Sequence, residues 1–341
     1  MRKNGTDMSS EGHPPPGDAI TRGPGILRWT VALVALAGLL VAGIAALAAR
    51  SHRAAPAVRP AGLTPRTDRR NLLNGRIVFA SRSDSDGRYH IHLVNPDGTG
   101  ETALTSGPAD DKTPAWSPNR ELIAFTRASQ APGSSGKTTH LYIMKADGTG
   151  LIQLTVGPGE AKDPSWSPEG TRIVFTAKDA AGKTRLLIAT VDGTPPPQLP
   201  KPPADCIDLE PAWSPDGLTI AFARRCGDQP SGLYLMHLDG TGLQAVTTFG
   251  RTPAWSPDGA KIAYTGLGSY GPSVYLINAD GTGKVELTTD FSGDPVWSPD
   301  GSQIVFTVSE VAIVKLYVIN VDGTGIRRLT ETPSSEVAAS W

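Results

Sequence analysis

Cysteine is all but missing from this chain. Cys206 and Cys226 are the only two in 341 residues, too few for a disulfide-built scaffold or a cysteine-built zinc site. Neither charge sign is in excess: 32 Lys and Arg stand against 33 Asp and Glu. A nucleic-acid surface would show a clustered basic excess, so that class of partner is set aside. Aromatic residues are only 6% of the chain. No Gly-x-Ser-x-Gly elbow occurs, no Cys–His pair or metal-ligand cluster stands out, and there is no room for an appended hydrolase domain. What is abundant is glycine, 38 residues, and proline, 30, as many tight turns require.

The first 74 residues differ from the rest. Residues 1–28 are rich in Pro, Gly and polar residues without an apolar period and read as a disordered tail. Trp29 to Ala49 is an uncharged apolar run bracketed by Arg28 and Arg50. At about 1.5 Å per residue, a helix of that length spans a hydrocarbon core of about 30 Å. Ala46, Leu47 and Ala48 offer a weak signal-peptidase-like site, but the run exceeds a usual signal core, so an uncleaved membrane anchor is the reading. Residues 50–74, rich in Ala, Pro and Arg, make a flexible linker of mixed stiffness.

From residue 75 onward the chain repeats itself. Trp-Ser-Pro-Asp-Gly or a close variant starts at Trp116, Trp166, Trp213, Trp255 and Trp297, and the sequence closes on Ser340 and Trp341. Asp-Gly-Thr starts at Asp97, Asp147, Asp192, Asp239, Asp280 and Asp322. This period fits four short strands, A to D, per unit. Strand A ends at the Trp. Strand B is Ile-Ala-Phe-like, as at Ile123, Ala124 and Phe125. It is apolar on both faces and needs cover on both, which blades stacked around a ring supply. Strand C is Leu-Tyr-Ile-like, as at Leu141, Tyr142 and Ile143. Strand D ends in Leu-Thr and is the most charged, as an outer edge should be. In the third unit, prolines at 195–197 and 200 fall on strand D, where an edge strand tolerates them. The first unit lacks a strand A and residues 337–341 are a strand A without a strand B, so the two complete one blade. The expected fold is all-β, a six-bladed β-propeller of four-stranded blades over 75–341, preceded by a single transmembrane helix.

The Trp-Ser-Pro-Asp-Gly, Ile-Ala-Phe, Leu-Tyr, Asp-Gly-Thr-Gly and Leu-Thr order, recurring six times, resembles the WD40-like repeats of the TolB propeller family. The resemblance covers about residues 75–341. It implies a non-catalytic binding platform outside the cytoplasm. In TolB itself an α/β domain precedes the propeller; here an apolar run and linker stand in that place.

Recurring Trp, Asp-Gly and Asp-Gly-Thr residues are explained first by packing and turn geometry. Asp-Gly-Thr-Gly also lacks the spaced oxygen ligands and distal Glu of a calcium loop. The A–B and C–D turns share one face and are uniform. The B–C and D–A loops share the other and vary, including 128–139, 180–183, 195–208 and 266–273, and function favours such loops. Three residues before each Trp stand Thr113, Asp163, Glu210, Thr252, Asp294 and Ala338, with Asp111, Asp208 and Glu336 nearby. With strand A innermost, these ring a channel mouth. An acidic mouth could hold a divalent cation or a basic peptide segment; the plainer reading is side chains capping local backbone amides. Cys206 and Cys226 lie almost symmetrically about the A–B turn near Pro215 and Asp216. They can form a disulfide stapling two loops of the variable face, or remain reduced thiols. His90 and His92 share one side of a strand, and His92 sits in the slot of Tyr142, Tyr234, Tyr275 and Tyr317, which favours packing over metal chelation.

Function and orientation follow. The leading expectation is a membrane-anchored, non-catalytic, monomeric propeller recognising a protein, peptide or glycan through its variable face. The alternative is a propeller hydrolase or lyase using a divalent ion at the acidic mouth. Arg50, Arg53, Arg59, Arg66, Arg69 and Arg70 outnumber Arg22 and Arg28 beside the anchor, which by the positive-inside rule favours a cytoplasmic propeller. The cysteine pair and the family resemblance favour an extracytoplasmic one, and that placement is preferred.

Overall fold

The computed structural model describes residues 75–130, 137–157, 159–179, 182–289 and 291–341. The tail, anchor and linker readings for residues 1–74 lie outside them. The described residues contain strands and turns and no helix, hence none long and apolar enough to cross a membrane.

In chain order the strands are β1 (Ile77–Arg82), β2 (Tyr89–Val94), β3 (Thr102–Ala103), β4 (Asp110–Trp116), β5 (Leu122–Gln130), β6 (Lys137–Lys145) and β7 (Ile152–Gln153). Next come β8 (Glu160–Trp166), β9 (Arg172–Lys178), β10 (Thr184–Thr190), β11 (Cys206–Trp213), β12 (Thr219–Cys226), β13 (Gly232–His237) and β14 (Gln244–Thr247). The last are β15 (Arg251–Trp255), β16 (Lys261–Leu267), β17 (Pro272–Asn278), β18 (Val285–Glu286), β19 (Ser292–Trp297), β20 (Gln303–Ser309), β21 (Val314–Asn320), β22 (Arg327–Arg328) and β23 (Glu336–Ser340).

Three antiparallel sheets follow the chain directly: β11 to β14, β15 to β18 and β19 to β22. A fourth runs β23-β1-β2-β3, so the last strand supplies the inner edge of the first sheet. Strands β4 to β10 form one seven-stranded sheet. It consists of two antiparallel groups, β4 to β7 and β8 to β10, joined by a single parallel bridge between Thr139 and Glu160.

The group β8 to β10 departs from the repeat. No fourth strand forms where 195–200 was expected to provide one. Pro195, Pro196, Pro197 and Pro200 have no N–H to donate to a ladder. Pro200 also stands where, in the preceding group, Thr155 Oγ1 accepts from the Leu141 N–H at 2.9 Å. Leu199 still packs inward beside Leu186 and Ile188, so the segment covers the edge without pairing to it.

Apolar burial explains why the groups stack. The Ile-Ala-Phe-like segments of β1, β5, β9, β12, β16 and β20 are buried on both faces. Six apolar clusters result, each between neighbouring strand groups. One of them joins β1 to β20 and β21, last group to first. Inner strands touch in sequence, β4 with β8, β8 with β11, β11 with β15, β15 with β19, β19 with β23 and β23 with β4. The recurring Trp stitches this ring. The indole N–H of Trp166, Trp255 and Trp297 donates to the carbonyl of Ala115, Ala212 and Ala254 of the preceding inner strand, at 3.0 to 3.2 Å. The Trp116 indole donates to Arg76, and the Trp116 backbone N–H to the Ser340 hydroxyl.

A buried ion pair pins the closing strand. Lys315 on β21 and Glu336 on β23 are both fully buried and 3.0 Å apart. Lys315 Nζ also donates to the Thr332 and Ser334 carbonyls. Glu336 accepts from the Thr330 and Thr332 hydroxyls and the Leu316 N–H. Removing one partner strands the other charge in an apolar site. Glu336→Gln is therefore expected to cost about 3–5 kcal/mol in urea unfolding. Adding Lys315→Met should recover at least half of that, since Gln still serves the two hydroxyls. Equal losses in the single and double variants would refute a pinning role for the charge pair.

Candidate functional site

The inner strands each carry one extra residue. In β4 against β5, the register passes from Lys112↔Thr126 to Ala115↔Ala124, three steps on one strand against two on the other. The same bulge recurs in β8, β11, β15, β19 and β23. At each, the residue three before the Trp adopts a positive φ, between 46° and 53°: Thr113, Asp163, Glu210, Thr252, Asp294 and Ala338. That region is uncommon for non-glycine residues and strained for β-branched Thr113 and Thr252. A bulge re-aims the side chain at its centre, and all six line one central channel. The channel encloses about 530 Å³ and continues past the Trp residues to the prolines of the Ser-Pro turns.

The mouth is acidic on one side. Asp163 and Glu210 are neighbours, Thr252 separates Glu210 from Asp294, and Ala338 and Thr113 complete the circuit. Threonines on the second strand of four of the groups, β5, β9, β16 and β20, stand behind these positions. Thr176 Oγ1 accepts from the Glu210 N–H, and Thr265 Oγ1 from the Asp294 N–H. Thr307 donates to an Asp294 oxygen at 3.2 Å. Glu210 is the paired acid: it accepts from the Arg251 guanidinium and, at 2.9 Å, from the Thr252 N–H.

Among the described residues no cation is bonded to Asp163 or Asp294. Each is half-buried, open to the channel and enclosed by protein elsewhere. Burial first, then the carboxylates of Glu210 and Asp294, push the Asp163 carboxyl up to about 7, against the Thr176 hydrogen bond. Burial and Glu210 raise Asp294 as well, opposed by Thr307 and Arg251. A mouth of this kind favours incoming positive charge. Among the described residues no three His, Cys, Asp or Glu converge to hold an ion.

Three acids expected at the mouth are elsewhere. Asp111 and Asp208 lie five residues before their Trp, two positions from the bulge, and point along the sheet. Asp111 makes two bonds to Arg127, at 2.7 and 2.8 Å. Asp208 does the same with Arg224, at 2.6 and 2.8 Å. Each guanidinium lies over a Phe and Tyr pair, Phe125 with Tyr142 and Phe222 with Tyr234. Glu336 is spent on Lys315. Cys206 and Cys226 are direct partners across β11 and β12, with their sulfurs 1.94 Å apart. His90 meets Asp86 at 3.3 Å and His92 meets Glu101 at 3.0 Å, so the two imidazoles engage separate carboxylates. Arg251 and the threonines behind the mouth were missed in the sequence reading. Their signal was a Thr directly after the strand-B aromatic at Thr126, Thr176, Thr265 and Thr307.

A model of the TolB beta propeller domain matches residues 65–252 and 249–341. The chain belongs to that family. The Tol-Pal system protein TolB of Rhizorhabdus wittichii is 41% identical over 49 residues, 14% of this chain and 11% of the relative's own length. The TolB structure from Acinetobacter baumannii superposes with a TM-score of 0.64 at 20% identity, over 78% of this chain and 66% of that one. An oligogalacturonate lyase from Vibrio parahaemolyticus shares the fold at 17% identity and a TM-score of 0.52, over 75% of this chain and 74% of that one.

The Asp163 carboxyl has a pH signature. An unfolded aspartate titrates near about 3.9, whereas folded Asp163 keeps its proton to about 7. The stability this gives is complete below the unfolded value and is lost as pH rises through the folded one. Asp163→Asn mimics the protonated form. At about pH 8 it is expected to stabilise by on the order of 2 kcal/mol, discounted because the channel side is solvated. At about pH 4 it should change little. Urea unfolding at both pH values checks this, and an equal effect at both would show that the carboxyl is not held neutral.

Proposed function

We propose that residues 75–341 are a six-bladed TolB-like propeller that binds a protein partner through its variable loop face, tethered to a membrane by residues 29–49. The observation that carries the reading is how unequally the two faces use their polar groups. On the turn face, Asp97, Asp147, Asp192, Asp239, Asp280 and Asp322 each accept from the N–H and hydroxyl of the Thr two residues on. Ser214, Ser256 and Ser298 likewise donate to Asp216, Asp258 and Asp300. Groups already satisfied within their own turns have little to offer a ligand. Exposed apolar side chains stand beside the turns, as at Leu218, Leu243 and Ile326, and on the opposite face at Val156, Leu267, Tyr270, Phe291 and Val311; only the second set sits on loops that vary from one repeat to the next.

The chain enters the ring at the turn face, where the position of a Cβ on Gly75 lies 2.9 Å from the Arg120 guanidinium. The adjacent sulfurs of Cys206 and Cys226 support an extracytoplasmic placement. Catalysis is the weaker reading. Lyase neighbours near 17% identity carry the fold alone, and a divalent-ion reaction at the mouth would have no three-ligand donor set among the described residues.

Photocrosslinking in cells tests the proposal. With p-benzoylphenylalanine in place of Tyr270, a discrete protein adduct is expected. The same probe in place of Leu243, which follows an Asp-Gly-Thr turn, should give none. Adducts from Leu243 but not Tyr270 would move the interface to the other face and sink the reading.

A further inference from the structure

Exposed apolar side chains gather between the fifth and sixth blades on the loop face. The β16–β17 hairpin carries Leu267 and Tyr270 at its tip, and Tyr270 is 81% exposed. The Gly268 N–H donates to the Gly271 carbonyl and closes that tip. Phe291 leads into β19, and its ring lies 3.2 Å from where a Cβ on Gly271 would stand, so the glycine admits it. The Phe291 carbonyl accepts from the Ser309 N–H at 2.8 Å. Two residues beyond Ser309, Val311 is 89% exposed on the next hairpin. Leu267, Tyr270, Phe291 and Val311 thus sit on two neighbouring hairpin tips and the segment between them. Phe291 also holds a positive φ of 56°, an outlier for a bulky residue. Such strain persists where its surroundings enforce it, and marks functional segments more than neutral ones.

The border of this patch is negative. A Glu286 oxygen is 2.8 Å from the Cβ position of Gly268. Glu310 accepts from the Tyr317 hydroxyl at 3.0 Å, and Glu331 acts electrostatically on the same phenol. Two cations stand beside these acids: Arg328 is 3.9 Å from Glu310, and Lys284 lies over the Tyr275 ring on which Glu286 acts. Asp294 lies three residues past Phe291, on the channel wall. An extended strand covers three residues in roughly 10 Å.

We propose that the patch and the adjoining mouth form a two-part site for an extended cationic segment of a partner protein. An apolar side chain of the segment seats among Leu267, Tyr270, Phe291 and Val311. A Lys or Arg about three residues away reaches Asp294. The proposal rests on the loop-face reading above and adds the chemistry of the partner. Apolar anchoring gives affinity, and complementary charge gives register and discrimination.

The test pans a random heptapeptide display library on the full-length chain in detergent micelles. Selected peptides are expected to carry Leu, Phe or Trp with Lys or Arg about three positions away. Phe291→Gly suits the positive φ and should keep or raise thermal stability while lowering binding at least tenfold. Asp294→Asn should abolish the preference for Lys over Gln at the second position while sparing the apolar anchor. No enrichment, enrichment of acidic or uncharged peptides, or binding indifferent to Phe291→Gly would overturn the proposal. Binding lost only on replacing loop 128–139 overturns this site but leaves a loop-face binding module standing. Binding lost only on changing turn-face residues such as Leu243 overturns both.

Discussion

A strand that is apolar on both faces cannot end a stack. Each Ile-Ala-Phe-like strand of this chain must be covered twice, and an open row of sheets would leave two faces bare. Fully burying a side chain the size of Phe is worth about 1.5–3 kcal/mol, so each uncovered face forfeits several such contributions. Closure removes both bare faces at once. It is made by β23 pairing with β1, Ser340 opposite Val78 and Val337 opposite Ala80, over an apolar cluster shared by β1, β20 and β21. The contact is long in sequence, yet loop-closure entropy grows only logarithmically with length. The fully buried Lys315 and Glu336 then fix which strand fills the gap, because a segment without the carboxylate would leave the ammonium unpaired.

Closure also creates the channel, and the bulges decide what faces it. Six residues held at positive φ are turned to the axis by one added residue per inner strand. Three of them are acids, and their crowding in a partly desolvated ring pushes Asp163 and Asp294 toward the neutral form. The fold therefore stores both backbone strain and electrostatic tension at one girdle of the channel. The proposed cationic ligand would relieve the second of these, which links the architecture to the proposed binding role.

Much of the fold was legible because its signals are local and repeated. The Trp-Ser-Pro and Asp-Gly-Thr turns, the doubly apolar second strands and the split first blade follow from residue type and spacing. The acids were harder. Asp111 and Asp163 both precede a Trp on strand A, but a bulge reverses the alternation between them, and no residue type announces a bulge filled by Thr, Asp, Glu or Ala. One consequence is that Asp111 and Asp208 fall opposite Arg127 and Arg224, while Asp163, Glu210 and Asp294 face the axis. The unpaired 195–200 segment was readable in part: its prolines showed an edge, but not that the ladder would fail altogether. The aromatic-Thr dipeptides were visible but unremarkable, since Thr is common in strands.

Closure is the claim on which the rest depends, and amide hydrogen exchange of the folded full-length chain reaches it directly. If β23 closes the ring on β1, the amides of both should exchange only through global unfolding, at the same free energy as the central strands β12 and β16. Loss of protection in β1 and β23 well ahead of those strands would mean that the ring is not closed there, and would contradict the arrangement of the channel and both faces.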